Sequence, residues 1–223
     1  MKYLRIILIL LFSIGAFGCA TEFPTNDYTA FHAENPRSIL VVPILNEAVE
    51  VYASDMMVTS VPFPLGERGY YVFPIKLTDA LLQDLGLPEA GLIHQLPPQK
   101  FYEHFGCDAV LFITIKDWSS KYILINNMRH IQARYLLVAA RSGNVLWDQT
   151  KEISIGSGDG GGGLVGMAVA ALVDKVVTEA FDSAYRDVAR MLNSASFTQI
   201  GVGLPAGPYH QNYGTDQEFY PDK

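Results

Sequence analysis

Cysteine is scarce in this chain of 223 residues: Cys19 and Cys107 are the only two, too few for a disulfide framework or a four-thiolate zinc site within one chain. Basic residues are outnumbered, with 16 Lys and Arg against 23 Asp and Glu, and a net charge of −7 leaves no electrostatic footprint for a nucleic acid. No apolar run approaches the roughly 20 residues that a membrane-spanning helix needs. The catalytic signatures are missing too: His32, His94, His104, His130 and His210 are scattered without H-x-H or H-E-x-x-H spacing, and no G-x-S-x-G elbow occurs. What is present is 49% apolar and 12% aromatic residues, enough to fill a real core. That excludes whole-chain disorder and collagen-like or coiled-coil rods, and the length predicts one domain with short additions.

Lys2 and Arg5 precede an apolar segment from Ile6 to Phe17, the size of a signal-peptide hydrophobic region. The segment closes on small residues, and Ala16-Phe17-Gly18-Cys19 resembles the bacterial lipobox. There the leader is cut before the cysteine, here after Gly18, the thiol is diacylated and the new amine is acylated. Each buried CH₂ contributes about 0.8 kcal/mol, so two or more chains make a stable anchor. Ala20 follows where an Asp would retain the product at the inner membrane, which favours the outer one. Loss of Lys2 and Arg5 takes the mature chain from −7 to −9, so the lipid on Cys19 is expected to act without electrostatic help from an anionic bilayer.

Four segments follow: a signal peptide over 1–18, a lipidated tether over 19–37, one α/β domain over 38–193 and a Gly/Pro/Tyr-rich tail over 194–223. Pro24, Asn26, Asp27, Asn35 and Pro36 give the tether its irregular character. Ser38-Ile39-Leu40-Val41-Val42-Pro43-Ile44 reads as a strand buried on both faces. Asn46 is expected to cap a helix over Glu47 to Val58 that Pro62 and Pro64 end, and Tyr70 to Ile75 reads as a second strand. Helices are predicted near Thr78 to Leu85, stopped by Gly86, and from Pro97-Pro98-Gln99 to Gly106. A third apolar run covers Ala109 to Ile115. The alternation predicts a parallel βαβ core. Long strands over Lys121 to Ile125, Arg129 to Ala140 and Val145 to Ile155, with a turn at Arg141-Ser142-Gly143-Asn144, extend the mixed sheet as an antiparallel meander. A long C-terminal helix over Leu164 to Asn193 carries an apolar face.

Each candidate for chemistry has a plainer reading that the residues favour. Gly158, Gly160 and Gly163 fit G-x-G-x-x-G, yet the preceding strand is antiparallel, no strand follows the helix and no Lys-Ser/Thr clamp is present. A flexible link fits better. Cys107 lies three residues after His104, but a buried free thiol acts far more often as a small hydrophobe. Carboxylate pairs such as Glu47 with Glu50 and Asp216 with Glu218 read as solvated surface. No cofactor and no metal site is expected. In Pro64-Leu65-Gly66-Glu67-Arg68-Gly69-Tyr70 the two nearest glycines bracket a charged turn, and Glu67 and Arg68 become candidates for capping a helix or meeting a partner. Tyr209, His210 and Tyr213 of the tail join them as candidate interaction residues.

The stretch Gly66-Glu67-Arg68-Gly69-Tyr70-Tyr71-Val72-Phe73-Pro74, together with Ser38 to Pro43, Phe105 to Leu111 and Leu204-Pro205-Ala206-Gly207-Pro208-Tyr209-His210, resembles a family of bacterial outer-membrane lipoproteins of unknown function. That family is typified by a neisserial genome-derived vaccine-candidate antigen. The resemblance spans nearly all of the mature chain. It implies a periplasmic α/β domain similar to CsgG-like lipoproteins and to the N-terminal domain of TolB, and a role in envelope assembly or secretion beside CsgG-like partners; self-association is expected of the anchored interaction module itself. It carries over no enzymatic residue. A non-enzymatic interaction module is therefore the first expectation. A pore or ring component is the second, against which Arg129, His130, Gln132, Arg134 and Arg141 stand as a poor lipid-facing surface. A lipid-anchored hydrolase using the Gly156–Gly163 loop or His210 is the third.

Overall fold

The computed structural model describes residues 26–123, 126–156 and 181–223. In chain order the elements are α1 (Thr29–Glu34), β1 (Ser38–Val41), β2 (Leu45–Asn46), α2 (Ala53–Val58), α3 (Pro62–Glu67), β3 (Tyr71–Val72), α4 (Ile75–Asp84), α5 (Ala90–Ile93), α6 (Pro98–Phe105), β4 (Ala109–Ile123), β5 (Asn126–Ala139), β6 (Val145–Gly156) and α7 (Phe181–Thr198), before a 3₁₀ turn at Gln217–Phe219. Six strands form one sheet in the order β3-β1-β4-β5-β6, with β2 also on β4. β1 lies parallel to β3 and β4, while β4, β5 and β6 run antiparallel, so the α/β mixed sheet expected from the sequence is the fold. A bulge interrupts the β4–β5 ladder between Ile115 and Asp117.

Strand alternation divides two cores. Leu40, Val42, Val110 and Phe112 point to one face, where α4, α5 and α6 bring Leu82, Ile93 and Phe101. Ile39, Val41, Leu111 and Ile113 point to the other, where α1, α2, α3 and α7 pack Phe31, Met57, Leu65 and Leu192. The predicted glycine stops hold: Gly86 and Gly106 both have positive φ just after helix ends. Within α7, Tyr185, Val188, Ala189, Leu192 and Ser196 recur at helical spacing and are buried. Asn193 is fully buried beside them. It accepts from the Tyr135 hydroxyl at 2.7 Å and donates to the Met57 carbonyl at 3.1 Å and Ser60 Oγ at 2.8 Å, tying α7 to the sheet and to the α2–α3 turn.

Several local expectations give way to longer-range packing. The stretch read as tether is part of the body from residue 26 on: α1 forms, and Tyr28 and Phe31 sit in the core with 0% and 4% exposure. Burying two such side chains contributes on the order of 2 kcal/mol each, which a free tether would forgo. Asn46 does not cap a helix. It closes a turn, accepting from the Ala48 amide and donating to the Glu50 carbonyl, and the helix starts only at Ala53. Pro62 opens α3 instead of ending its predecessor, because a first-turn proline forfeits no hydrogen bond. The second strand shrinks to Tyr71–Val72, and α4 begins at Ile75. Ser119 to Ile123 continues β4 without a break. The last helix extends to Thr198. Its predicted beginning and the glycine stretch after Gly156 lie outside the described residues, as do Gly18 and Cys19. No helix among the described residues is long and apolar enough to cross a membrane.

Candidate interaction surface

The two stretches singled out in the sequence, Gly66–Pro74 and Leu204–His210, turn out to be each other's neighbours. After α7 the tail runs across the body: the Trp147 indole donates to the Val202 carbonyl at 2.8 Å, and the Tyr28 hydroxyl donates to the Gly203 carbonyl at 2.6 Å. The Gly207 amide then donates to the Arg68 carbonyl at 2.7 Å and the Tyr209 amide to the Gly69 carbonyl at 3.1 Å. Approach this close requires glycine. A Cβ on Gly69, whose φ is +81°, would lie 2.3 Å from the His210 amide nitrogen, and one on Gly207 would lie 2.5 Å from the Gly69 carbonyl oxygen.

Arg68 is the clamp of this joint. Its side chain is 15% exposed and turns inward, donating to the carbonyl of Leu204, to Asp216 Oδ2 at 3.2 Å and to the Tyr220 hydroxyl at 3.2 Å. Asp216, read from sequence as solvated, is 16% exposed and also accepts from the Ala206 amide at 2.8 Å. The Tyr70 hydroxyl donates to the Pro205 carbonyl at 2.7 Å, and burial holds the phenol well above its ordinary range. Arg68 therefore serves the chain's own tail, while Glu67 next to it stays exposed. Tyr209 is 70% and Tyr213 44% exposed, and the Tyr213 hydroxyl bonds Asn35 of the segment after α1. His210 is half-buried and accepts from the Asn212 amide. The structure thus gathers all five predicted residues on one side of the body, with Arg68 spent internally.

The other candidates disperse. Cys107 is fully buried, and burial pushes its thiol up to about 12, so no thiolate is available near neutral pH. His104 lies in the last turn of α6, before the left-handed Gly106. No group of three or more His, Cys, Asp or Glu suited to a metal occurs among the described residues. Glu47 pairs with Lys116 at 2.7 Å, and Glu50 accepts from the Tyr52 amide.

Sequence reasoning missed a second surface. Between α2, α3 and α7 lies an open groove of about 860 Å³, walled by Tyr52, Met56 and Phe63 and flanked by Asp55, Arg186 and Arg190. Tyr52 and Phe63 are 64% and 72% exposed, and Val49 and Val51, just before Tyr52 in sequence, are 98% and 76% exposed. Open apolar side chains gathered along one groove make Tyr52, Met56 and Phe63 a candidate interaction surface. Val49 and Val51 were the available signal, masked by their assignment to a helix.

Comparison with known proteins bears on the family and the fold. The family described as "Putative lipoprotein GNA1162-like" matches residues 26–209. A lipoprotein of Neisseria meningitidis serogroup B, NMB1124/NMB1162, is 37% identical over 163 residues, 73% of this chain and 76% of its own length. The crystal structure of lipoprotein GNA1162 from Neisseria meningitidis superposes with a TM-score of 0.55 at 38% identity, over 65% of this chain and 100% of that one. A PelC dodecamer from Paraburkholderia phytofirmans follows at a TM-score of 0.45 and 14% identity over 77% of this chain and 90% of its own, too distant to carry an argument. Nothing in these relatives' names points to catalysis.

Proposed function

The chain belongs to the GNA1162-like lipoprotein family, and from that membership we propose that it is a lipid-anchored accessory of the bacterial envelope, an interaction module without catalysis of its own. Leader cleavage after Gly18 leaves Cys19 acylated, and the body faces the periplasm from the outer membrane, where it assists assembly or secretion beside other envelope proteins such as CsgG-like lipoproteins. The observation that carries this reading is how the distinctive residues are spent. Arg68, Asp216, Tyr70 and the two close glycines fasten the tail, and the thiol is buried, so these distinctive side chains serve structure. Outward, apart from Glu67 and the tail rings Tyr209 and Tyr213, lies the apolar groove beside Arg186 and Arg190, suited to a partner that offers an apolar side chain next to a carboxylate. Self-association belongs to the same reading. β6 ends the sheet with 12 residues whose outer edge pairs with no strand among the described residues, and such an edge accepts another strand.

Site-specific photocrosslinking in intact cells tests it. A crosslinker replacing Phe63 is expected to yield discrete envelope-protein adducts that vanish in the Arg186→Glu, Arg190→Glu double variant, while one replacing exposed Gln83 yields none. Absence of adducts at Phe63, or absence of acyl chains on Cys19 by mass analysis, overturns the proposal.

A further inference from the structure

The structure fixes where the anchor leaves the body. Asn26 donates to the Val202 carbonyl at 3.1 Å, the Tyr28 amide donates to the Pro221 carbonyl at 3.1 Å, and Asp27 accepts from the Lys223 amide at 3.2 Å. The start of the body is therefore held in the C-terminal tail. From Cys19 to Asn26 there are seven residue steps, which span at most about 25 Å whatever their conformation. Three aromatic side chains stand out on that same tail: Tyr209, Tyr213 and Phe219, at 70%, 44% and 43% exposure, with Ile200 at 62%. Amphipathic aromatic rings favour the headgroup level of a bilayer, apolar body inward and hydroxyl toward water.

We propose that the face formed by α1 and the C-terminal tail rests on the same bilayer that holds the lipid anchor, with Tyr209, Tyr213 and Phe219 at headgroup depth. This rests on the acylated Cys19 of the preceding reading. A few half-exposed rings would bind a free vesicle weakly. Tethered within about 25 Å they meet the surface at a millimolar-scale effective concentration, and weak contact becomes a fixed orientation. Charge selects the lipid. The face carries exposed Asp27, Glu67, Glu218 and Asp222 against Arg37 and Lys223, so it suits zwitterionic phospholipid and is repelled as anionic lipid is added.

The test uses the full lipidated protein with Cys107→Ala, reconstituted in phosphatidylethanolamine and phosphatidylcholine vesicles. Nitroxide labels are placed through Tyr209→Cys, Phe219→Cys and, as a control, Val49→Cys, all exposed positions that leave the core intact. Collision with a nickel-chelating lipid is expected to be several-fold higher at Tyr209→Cys and Phe219→Cys than at Val49→Cys, and to fall as phosphatidylglycerol replaces the zwitterionic lipid. Equal collision at all three sites in protein shown by mass analysis to be acylated overturns this inference and leaves the anchor standing. Protein that carries no acyl chain overturns both. Labels free in vesicles but shielded in intact envelopes assign the face to a protein partner and likewise overturn it.

Discussion

Gly66 and Gly69 stand three residues apart in one motif, and the structure assigns them opposite responses to the same change. Gly66 lies within α3, where an added Cβ meets nothing within 4 Å. Gly66→Ala should stabilise by up to about 1 kcal/mol, the difference in helix propensity between the two residues. Gly69→Ala faces two penalties. Its φ of +81° costs an L-residue about 1 kcal/mol or more, and the new methyl would sit 2.3 Å from the His210 backbone nitrogen and 2.5 Å from its Cβ. The tail must retreat, forfeiting the bonds from Gly207 to the Arg68 carbonyl and from Tyr209 to the Gly69 carbonyl, each contributing about 1 kcal/mol net. Together the loss is about 3 kcal/mol, which for a domain of this size lowers Tm by roughly 6–12 °C. Calorimetry of the detergent-solubilised protein measures both variants, and Trp147, bonded to Val202, reports tail release by fluorescence. If Gly69→Ala melts with the parent, or Gly66→Ala loses as much as Gly69→Ala, the interlock of the two motifs is not what requires the second glycine.

Two further outcomes follow from buried polar groups. Asn193→Ala removes the 2.7 Å acceptor of the Tyr135 hydroxyl and frees the α2–α3 turn, and should cost about 2–4 kcal/mol in urea unfolding; a loss below about 1 kcal/mol would mean that other groups or water replace the lost partners. His94 donates through Nε2 to the Pro43 carbonyl, and burial, only partly offset by that bond, lowers its affinity for a proton. Because the fold prefers the neutral ring, the stability it lends is complete above the unfolded value of about 6.5 and is lost as pH falls through the lower folded one. Tm measured from pH 8 to pH 5 should fall less in His94→Gln than in the parent; parallel curves would dismiss the assignment.

The central sheet was legible because its signals are local. The β-branched runs Ile39–Val42 and Val110–Ile115 announce strands buried on both faces, and Arg141–Asn144 announces the turn between β5 and β6, where Gly143 takes positive φ. The misread elements depend on distant partners. Nothing beside Tyr28 in sequence says that Gly203 and Tyr220 will enclose it, so α1 passes for a tether. Arg68 and Leu204 are 136 positions apart, and a charged residue in a turn is ordinarily outward until its counter-ion, here Asp216, is located in three dimensions. The groove went unseen for the same reason: Arg186 and Arg190 come to it from α7, and no periodicity in residues 47–63 foretells their arrival.

β4 is 15 residues long, about 50 Å when extended, nearly three times an ordinary strand. Its parallel neighbours end at Ile115, where β2 stops, and the bulge falls at that same point, before Asp117. Beyond it β4, β5 and β6 run on together as three strands, still held to the body where Trp118 stacks on Tyr185 of α7 and Ile131 and Ile155 stay buried. A bulge bends a strand locally without parting it, so the extension can lean away from the direction of the parallel strands while the Trp118–Tyr185 stack keeps it seated on α7.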